Sequence, residues 1–247
     1  MKSRSPQSRS SQSLTEDRII YEDNHLIVVS KPAGVATMGA AIGQPTVLDW
    51  TKERIRKKYN KPGNVFLGVV SRIDSFVSGV LVFAKTSKAA GRLAKQFRES
   101  SPKKKYLAIV EGTLTESRGV FQSWLRKNDR LKKMESFSRE VPQSRFSELD
   151  YCVLKQNKRF SLVEVNLITG RKHQIRVQFA DHGTPVYADR KYGGSQKMNV
   201  GIALHSWYLE LQHPTRSERL ELFCPLPREW YDHQGFATLL DGVDLMA

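Results

Sequence analysis

In the stretch Leu167-Ile168-Thr169-Gly170-Arg171-Lys172-His173-Gln174-Ile175-Arg176 the spacing of apolar residues changes from that of a strand to that of a helix. Residues 160–168 alternate apolar and polar side chains, which predicts a half-buried strand. From Arg171 to His182 apolar residues recur at helical spacing, and Gly183 supplies a left-handed stop. The sequence therefore predicts a strand, a turn at Thr169-Gly170 and a helix of about three turns.

The start of this predicted helix is a candidate anion site. Backbone N–H groups at the start of a helix attract anions, and Arg171 and Lys172 add positive charge in the same region. The simpler alternative is that this basic segment is only a solvent-exposed helix face.

Asp74 is predicted to lie in or beside the core. It follows Arg72 in the segment Val70 to Lys85, between two apolar runs that both indicate buried strands. A buried carboxylate is costly unless a cation pairs with it, and Arg176 is the expected partner, which would lower the pKa of Asp74. The alternative is an ordinary turn residue, because Asp readily bonds its own backbone in loops.

Five sequence blocks, in this order, resemble the RluA-type pseudouridine synthases. They are RIDSFVSGVLVFAK at Arg72–Lys85, KKY at Lys104–Tyr106, TGRKHQIR at Thr169–Arg176, GTPV at Gly183–Val186 and DRKYG at Asp189–Gly193. The resemblance continues into residues 202–207 and 224–227, and it spans roughly residues 20–230. Any one block alone would be a weak signal, but several in the right order make chance agreement improbable.

The resemblance implies a function, the conversion of uridine to pseudouridine in RNA, and roles for particular residues. It makes Asp74 the catalytic carboxylate and Arg176 its partner, and it places Tyr106 against the base, where it is a candidate for assisting proton removal. A target uridine inside folded RNA must leave its stack, and the resemblance assigns Arg72 to the gap. By position alone, Tyr106 on a strand would more often be a packing residue.

The resemblance also assigns RNA contacts to the TGRKHQIR block. Arg171, Lys172 and His173 are expected to hold neighbouring phosphates, and Ile175 to form a core or pocket wall. His173 could instead be a core histidine with satisfied hydrogen bonds. Four positions depart from the usual family residues and affect the expected substrate contacts: Ser71 stands for His, Val77 for Thr, Gln178 for His and Ala188 for Gly.

Composition favours a polyanionic partner. The 247 residues carry a formal net charge of +15, which suits structured RNA, either ribosomal or transfer RNA. The two cysteines, Cys152 and Cys224, have no metal-ligand spacing, and the isomerisation needs no electron carrier, so we expect neither metal nor cofactor. No apolar run is long enough for a membrane span and no signal core is present, so the expectation is a cytoplasmic monomer.

Three segments are expected along the chain. Residues 1–17, rich in Ser and Arg, should form a disordered tail, residues 18–235 the catalytic domain and residues 236–247 a carboxy-terminal tail. The Ser-Arg bias would also suit an organelle transit peptide, although an amphipathic pattern is missing. Many members of the family carry a small RNA-binding domain before the catalytic one, and we expect none here.

The resemblance implies an α+β fold, the pseudouridine synthase fold, with a mostly antiparallel central sheet, flanking helices and an RNA-binding cleft. Local patterns independently predict an α+β domain on a mostly antiparallel sheet. The predicted elements are strands at 26–30, 65–70, 80–84 and 106–111, a helix at 46–58 capped by Thr46 and Asp49, a helix capped by Ser87, and strands around Phe121, Trp124, Phe137, Tyr151, Val163 and Leu209.

Two other classes of function remain open at this point. A catalytically silent RNA-binding protein on the same fold would share the charge and the cleft, and only an activity assay separates it from an enzyme. A metal-dependent nuclease would need several carboxylates converging on a cation, whereas the acids here are scattered along the chain and Asp74 lies beside Arg72.

Overall fold

A computed structural model describes residues 16–243. The strands in chain order are β1 (Ile19–Glu22), β2 (Leu26–Lys31), β3 (Gly68–Val69), β4 (Ser78–Ala84), β5 (Lys103–Glu111), β6 (Arg118–Asn128), β7 (Lys133–Phe137), β8 (Arg145–Gln156), β9 (Phe160–Leu167), β10 (Leu204–Gln212) and β11 (Arg219–Phe223). The helices are α1 (Val47–Lys58), α2 (Ser87–Arg98), α3 (Gln174–Asp181), α4 (Arg228–Tyr231) and α5 (Ala237–Leu240). Short 3-10 turns lie at Glu16–Arg18, Arg190–Tyr192 and Gln234–Phe236.

Within the described residues all 11 strands join one sheet, in the order β1-β2-β4-β10-β5-β9-β8-β6-β7, with β11 beside β10 and β3 beside β4. The pair formed by β4 and β10 is parallel, and the other pairs are antiparallel. The α+β class and the mostly antiparallel sheet are therefore as the sequence predicts.

The sheet is covered on both faces, which explains why its central strands are apolar on both sides. Every residue of β4 is buried. Leu81 and Phe83 of β4 pack with α1 on one face, whereas Val80 and Val82 pack with α2 on the other. In the other half, α3 packs on β5, β8 and β9, and the carboxy-terminal helices cover the opposite face of β5 and β9.

The α2 and α3 helices share one face of the sheet and leave a cleft between them. Leu209 of β10 packs in the cluster with α2, Leu204 of β10 packs in the cluster with α3, and both residues line the same cleft. The loop between β3 and β4, which carries Asp74, closes one wall of this cleft.

The parallel contact of β4 with β10 fixes where that loop ends. Ser78 pairs with His205 and Gly79 with Ser206. A Cβ at Gly79 would collide with the Ser206 backbone, and its φ of +125° is itself unfavourable for other residues. The buried His205 ring of β10 links β4 to the residue after β11, since its Nδ1 lies 2.8 Å from Ser78 Oγ and its Nε2 lies 3.0 Å from the Cys224 carbonyl oxygen.

Capping chemistry explains the start of two helices. Thr46 and Asp49 form the predicted reciprocal capping box at the start of α1. The prediction that Ser87 caps α2 was wrong: Thr86 is the cap, and its side chain accepts from Ala89 N, so Ser87 is the first helical residue. Both hydroxyls could cap a helix here, and the observed one is the residue with extended backbone.

Two further predicted boundaries need correction. The strand predicted at 65–70 is only Gly68–Val69, because Val65 and Leu67 are buried by packing beside α1 rather than by strand pairing. The carboxy-terminal tail predicted from residue 236 is wrong for 236–243, since Phe236 and Leu239 are fully buried against Trp230 and the sheet. Of the predicted amino-terminal tail, residues 1–15 lie outside the described residues, and Glu16–Arg18 form a 3-10 turn.

Candidate active site

Asp74 is held in a tight turn immediately before β4. Its Oδ1 accepts the Phe76 backbone N–H at 3.0 Å, and its own carbonyl oxygen accepts the Val77 N–H at 3.1 Å. Asp74 therefore forms the turn, as its residue type alone suggests, and its second carboxylate oxygen is left for other groups.

Arg176 holds two carboxylates at once. Its Nη1 donates to Asp74 Oδ2 at 2.6 Å, while its Nε and Nη2 donate to the two oxygens of Asp189, each at 2.6 Å. The two parallel bonds to Asp189 fix the plane of the guanidinium, which then directs Nη1 at Asp74. The expected pair of Asp74 with Arg176 is thus formed, and Asp189 is the residue that orients it.

His173 binds the same oxygen of Asp74. Its Nε2 lies 2.9 Å from Asp74 Oδ2, and because a carboxylate only accepts, the ring nitrogen is the donor. The other ring nitrogen lies 2.7 Å from the hydroxyl of Tyr192, which accepts the Met134 backbone N–H at 2.9 Å. In the neutral ring, Nδ1 accepts the Tyr192 O–H, so one chain of hydrogen bonds runs from β7 to Asp74.

This arrangement keeps Asp74 ionised. Burial alone would raise its pKa, but the hydrogen bond from His173 and the charge of Arg176 outweigh burial and hold the pKa well below its ordinary value. Burial likewise opposes the charge on Arg176, and its hydrogen bonds to Asp189 raise its pKa above the ordinary value. The centre is therefore a carboxylate and a guanidinium that are both charged.

A buried lysine supports the other side of the Asp74 turn. Lys31 is fully buried, and its Nζ donates to the carbonyl oxygens of Pro32, Val35 and Ser75 at 2.9, 2.7 and 3.2 Å. Burial lowers the pKa of Lys31 to about 7, and the nearby charge of Asp74 opposes that shift. Because Ser75 follows Asp74 directly, this lysine ties the turn to the end of β2.

Tyr106 lies on β5 opposite Ser206, on the face of the sheet that lines the cleft. It is half-buried and, like Ile73, packs against the buried cluster that includes Ile175 and Leu204. Burial raises the pKa of Tyr106, and a hydrogen bond with Ser206 only partly opposes this, so the side chain is a neutral phenol near pH 7.

The cleft has a volume of about 1020 Å³ and is lined almost entirely by neutral and cationic residues. Among the lining residues that the structure describes, Asp74 is the one carboxylate, whereas six are Lys or Arg: Arg72, Arg98, Lys104, Arg171, Lys172 and Arg176. A cleft with this charge pattern attracts anions and concentrates them near Asp74.

The predicted binding residues lie along this cleft in different settings. Arg72 and Lys172 are exposed, and Arg171 is half-buried. Ile175 is buried and forms part of the wall. The expected phosphate contact of His173 is not supported by this geometry, because both of its ring nitrogens are already bonded to protein groups.

The predicted helix start was wrong by three residues. The helix α3 begins at Gln174, and His173 precedes it in the left-handed conformation with φ of 55°. The side-chain oxygen of Gln174 accepts both the Arg171 backbone N–H and the Thr169 hydroxyl at 2.9 Å. The backbone N–H of Arg171, at the predicted helix start, is therefore already bonded within the protein, and what remains for an anion there is the charge of the Arg171 and Lys172 side chains.

The departures from the family pattern are explained in part. Gln178 is a fully buried residue of α3 whose Nε2 donates to Phe121 O and Ser123 Oγ of β6 at 3.2 and 3.0 Å, and it does not line the cleft. Ala188 has a φ of 66°, a conformation that glycine adopts at lower cost. Ser71 and Val77 do line the cleft and can affect what it binds.

Sequence reasoning missed Asp189, Tyr192 and Lys31. The first two lie in the DRKYG block, which the sequence identified without assigning a role to its side chains. Within residues 16–243 no group of three or more His, Cys, Asp and Glu gathers as a metal site. In the same range no helix is long and apolar enough to cross a membrane.

The sequence profile of the RNA pseudouridylate synthase family matches residues 25–181. The chain belongs to this family, whose members are isomerases that act on RNA. It is 34% identical over 214 residues to the uncharacterized RNA pseudouridine synthase YhcT of Bacillus subtilis, covering 85% of this chain and 69% of that protein. It is 33% identical over 221 residues to the ribosomal large subunit pseudouridine synthase C of Vibrio parahaemolyticus, covering 85% of this chain and 66% of that protein.

Solved structures agree with this assignment. Human RNA Pseudouridylate Synthase Domain Containing 4 superimposes with a TM-score of 0.72 at 27% identity, covering 86% of this chain and 89% of that one. Human RNA Pseudouridylate Synthase Domain Containing 1 gives a TM-score of 0.70 at 29% identity, covering 85% and 83%. The chain spans about two thirds of the length of the bacterial relatives it matches.

Replacing Asp189 should destabilise the fold more than replacing Asp74. The Asp189 side chain is 1% exposed and accepts two bonds from Arg176, whereas Asp74 is 15% exposed and accepts one. Removing one partner of a buried pair costs about 3–5 kcal/mol, so we expect a loss of that order in the free energy of unfolding for Asp189→Asn. Urea unfolding of both variants checks this, and an equal or larger loss for Asp74→Asn would contradict it.

Proposed function

We propose that this chain converts specific uridines to pseudouridine in structured RNA, with Asp74 as the catalytic carboxylate. The observation that carries the proposal is the position of the Asp74 carboxylate, bound by Arg176 and His173 in a cleft whose other described charged lining residues are cations. Several relatives are named ribosomal large subunit pseudouridine synthase C, which favours ribosomal RNA as the first substrate to test, with transfer RNA as the alternative.

The reaction balances without any second reactant. The bond between N1 of uracil and C1′ of the ribose breaks, the base turns, and a bond forms between C5 and C1′. The base loses the C5 proton and gains a proton on N1, so the net change is an isomerisation. The protein must therefore provide an anionic group at the reacting carbon atoms, retain the detached base and allow one proton to move.

The negative charge of Asp74 limits the catalytic roles that it can have. A carboxylate held ionised by Arg176 and His173 has no proton to donate, so its proposed role is nucleophile or base toward the extruded nucleotide. Because Arg176 and His173 both bind Oδ2, and Oδ1 also accepts from the turn backbone, the orientation of the carboxylate is set before substrate arrives.

Tyr106 is proposed to retain the base. Its neutral phenol lies on the cleft wall with Ile175 and Leu204, where an aromatic ring can stack on uracil. The raised pKa means that Tyr106 is a poor base by itself, which favours stacking as its main role and leaves proton removal to an ionised group.

A uridine in folded RNA can reach the cleft only after it leaves its stack. Extrusion costs a few kcal/mol, so we propose that the exposed side chain of Arg72, two residues before Asp74, occupies the gap. Arg171 and Lys172 on the facing wall are proposed to bind phosphates of the surrounding strand.

Asp74→Asn should abolish pseudouridine formation while RNA binding persists, because the amide keeps the size of the side chain but lacks the negative charge. Total RNA from a strain lacking the gene is incubated with purified protein, and pseudouridines are mapped. We expect the wild type to restore particular sites and Asp74→Asn to restore none. Asp232→Asn, which changes an exposed acid on the carboxy-terminal segment, is the matched control and should behave as wild type.

Two outcomes would reject this proposal. Normal turnover by Asp74→Asn, prepared free of wild-type enzyme, would show that another group performs the chemistry. A wild-type protein that binds the RNA but restores no site would instead favour the catalytically silent RNA-binding protein.

A second set of variants should separate RNA binding from the rate of the chemical step. Changing Arg171 and Lys172 together to Ala should weaken RNA binding. The slope of log Kd against log salt should fall by the amount expected for about two phosphate contacts, and single-turnover rates at saturating RNA should stay nearly unchanged. Arg72→Ala should slow the single-turnover rate even when all RNA is bound, because the gap left by the extruded uridine is no longer filled. The reverse pattern of effects would show that these roles are wrongly divided.

A further inference from the structure

Three consecutive lysines begin β5, and the middle one differs from its neighbours. Lys103 Nζ lies 3.1 Å from Glu210 and Lys105 Nζ lies 3.0 Å from Glu164, so both outer lysines are paired. Lys104 is half-buried in the cleft wall, and its ammonium has no hydrogen-bond acceptor or carboxylate among residues 16–243. The KKY block singled out by the sequence therefore contains a cation that the proposed chemistry has not used.

The ammonium of Lys104 lies on the side of the cleft that carries Tyr106, the residue proposed to retain the base. Side chains alternate along a strand, so Lys104 and Tyr106 lie on the same face, about 7 Å apart along β5. On the facing side is the turn after β9, where a Cβ added to Gly170 would lie 3.4 Å from Lys104 Nζ. Arg171, the next residue of that turn, also lines the cleft.

A cation in this position is unfavourable for the protein alone. Burial removes water from the ammonium, and no protein group in the described part of the chain replaces it. Consistent with this, burial lowers the pKa of Lys104. An anionic group entering the cleft would supply the missing partner, and a compact ammonium suits a phosphate oxygen.

We propose that Lys104 binds a phosphodiester of the RNA strand at the nucleotide that enters the cleft. The inference rests on the proposed function only in that RNA occupies this cleft. Tyr106 then contacts the base while Lys104, nearer the start of the strand, contacts the backbone of the same nucleotide. Lys104 is the deep backbone contact, distinct from the more exposed Arg72 and Lys172 at the rim.

The test measures binding of a short fluorescent oligouridylate at a series of KCl concentrations. Lys104→Met should bind more weakly, and the slope of log Kd against log salt should fall by about 0.7, the value for one phosphate contact to a single strand. Lys104→Arg keeps the charge and should retain most of the slope. Lys105→Met is the matched control, because Lys105 is on the same strand, faces the opposite side and is paired with Glu164.

Thermal unfolding separates binding from folding. Since Lys104 has no protein partner to lose, Lys104→Met should unfold at the same temperature as wild type or higher. Wild-type affinity and slope for Lys104→Met would overturn the proposal, as would an equal loss in Lys105→Met. A clear fall in unfolding temperature for Lys104→Met would also overturn it, because it would assign the lysine a structural role.

This assay needs no turnover, so it fails independently of the proposed function. If the wild type makes no pseudouridine but Lys104→Met still loses one contact, the enzyme proposal falls and the phosphate contact stands. If pseudouridine forms and Lys104→Met binds as wild type, only the phosphate contact falls.

Discussion

The guanidinium of Arg176, shared between Asp74 and Asp189, is the interaction on which the site depends. A buried carboxylate would ordinarily take up a proton, and a buried guanidinium without a partner would destabilise the fold. Asp189 accepts two parallel bonds and so fixes the guanidinium plane, which leaves one nitrogen directed at Asp74. Arg176 thus orients the carboxylate that we propose as catalytic, and Asp189, which is not among the residues that line the cleft, orients Arg176.

The sheet brings these three groups together from distant parts of the chain. The parallel contact of β4 with β10 requires Gly79 and ends the turn that holds Asp74, while α3 packs across β5, β8 and β9 and carries Arg176. Lys31 secures the same turn from the end of β2. The rigid elements therefore determine the position of the carboxylate, whereas Arg72, Arg171 and Lys172 of the cleft lie on the loops around it.

The pairing of Asp74 with Arg176 could be predicted from sequence because an Asp between two apolar runs is expected to be buried and then needs a cation. Strands β2 and β4 were predictable because they contain the continuous apolar runs LIVV and VLVFA. The left-handed His173 was not, since its conformation depends on the Gln174 side chain bonding back to Arg171 and on a partner, Tyr192, in another turn. Lys31 was hidden for a different reason: lysines are rarely buried, and only the fold shows the three carbonyl groups around it.

The ionisation of Asp74 is the most direct test of this account. A carbon-13 NMR titration of the side-chain carboxyl groups, with the Asp74 signal assigned from its loss in Asp74→Asn, measures the pKa in the folded protein. We expect Asp74 to remain ionised as the pH falls through the ordinary aspartate pKa of about 3.9, because Arg176 and His173 stabilise the anion. A titration at or above that value would show that burial prevails, and it would contradict a permanently charged catalytic carboxylate.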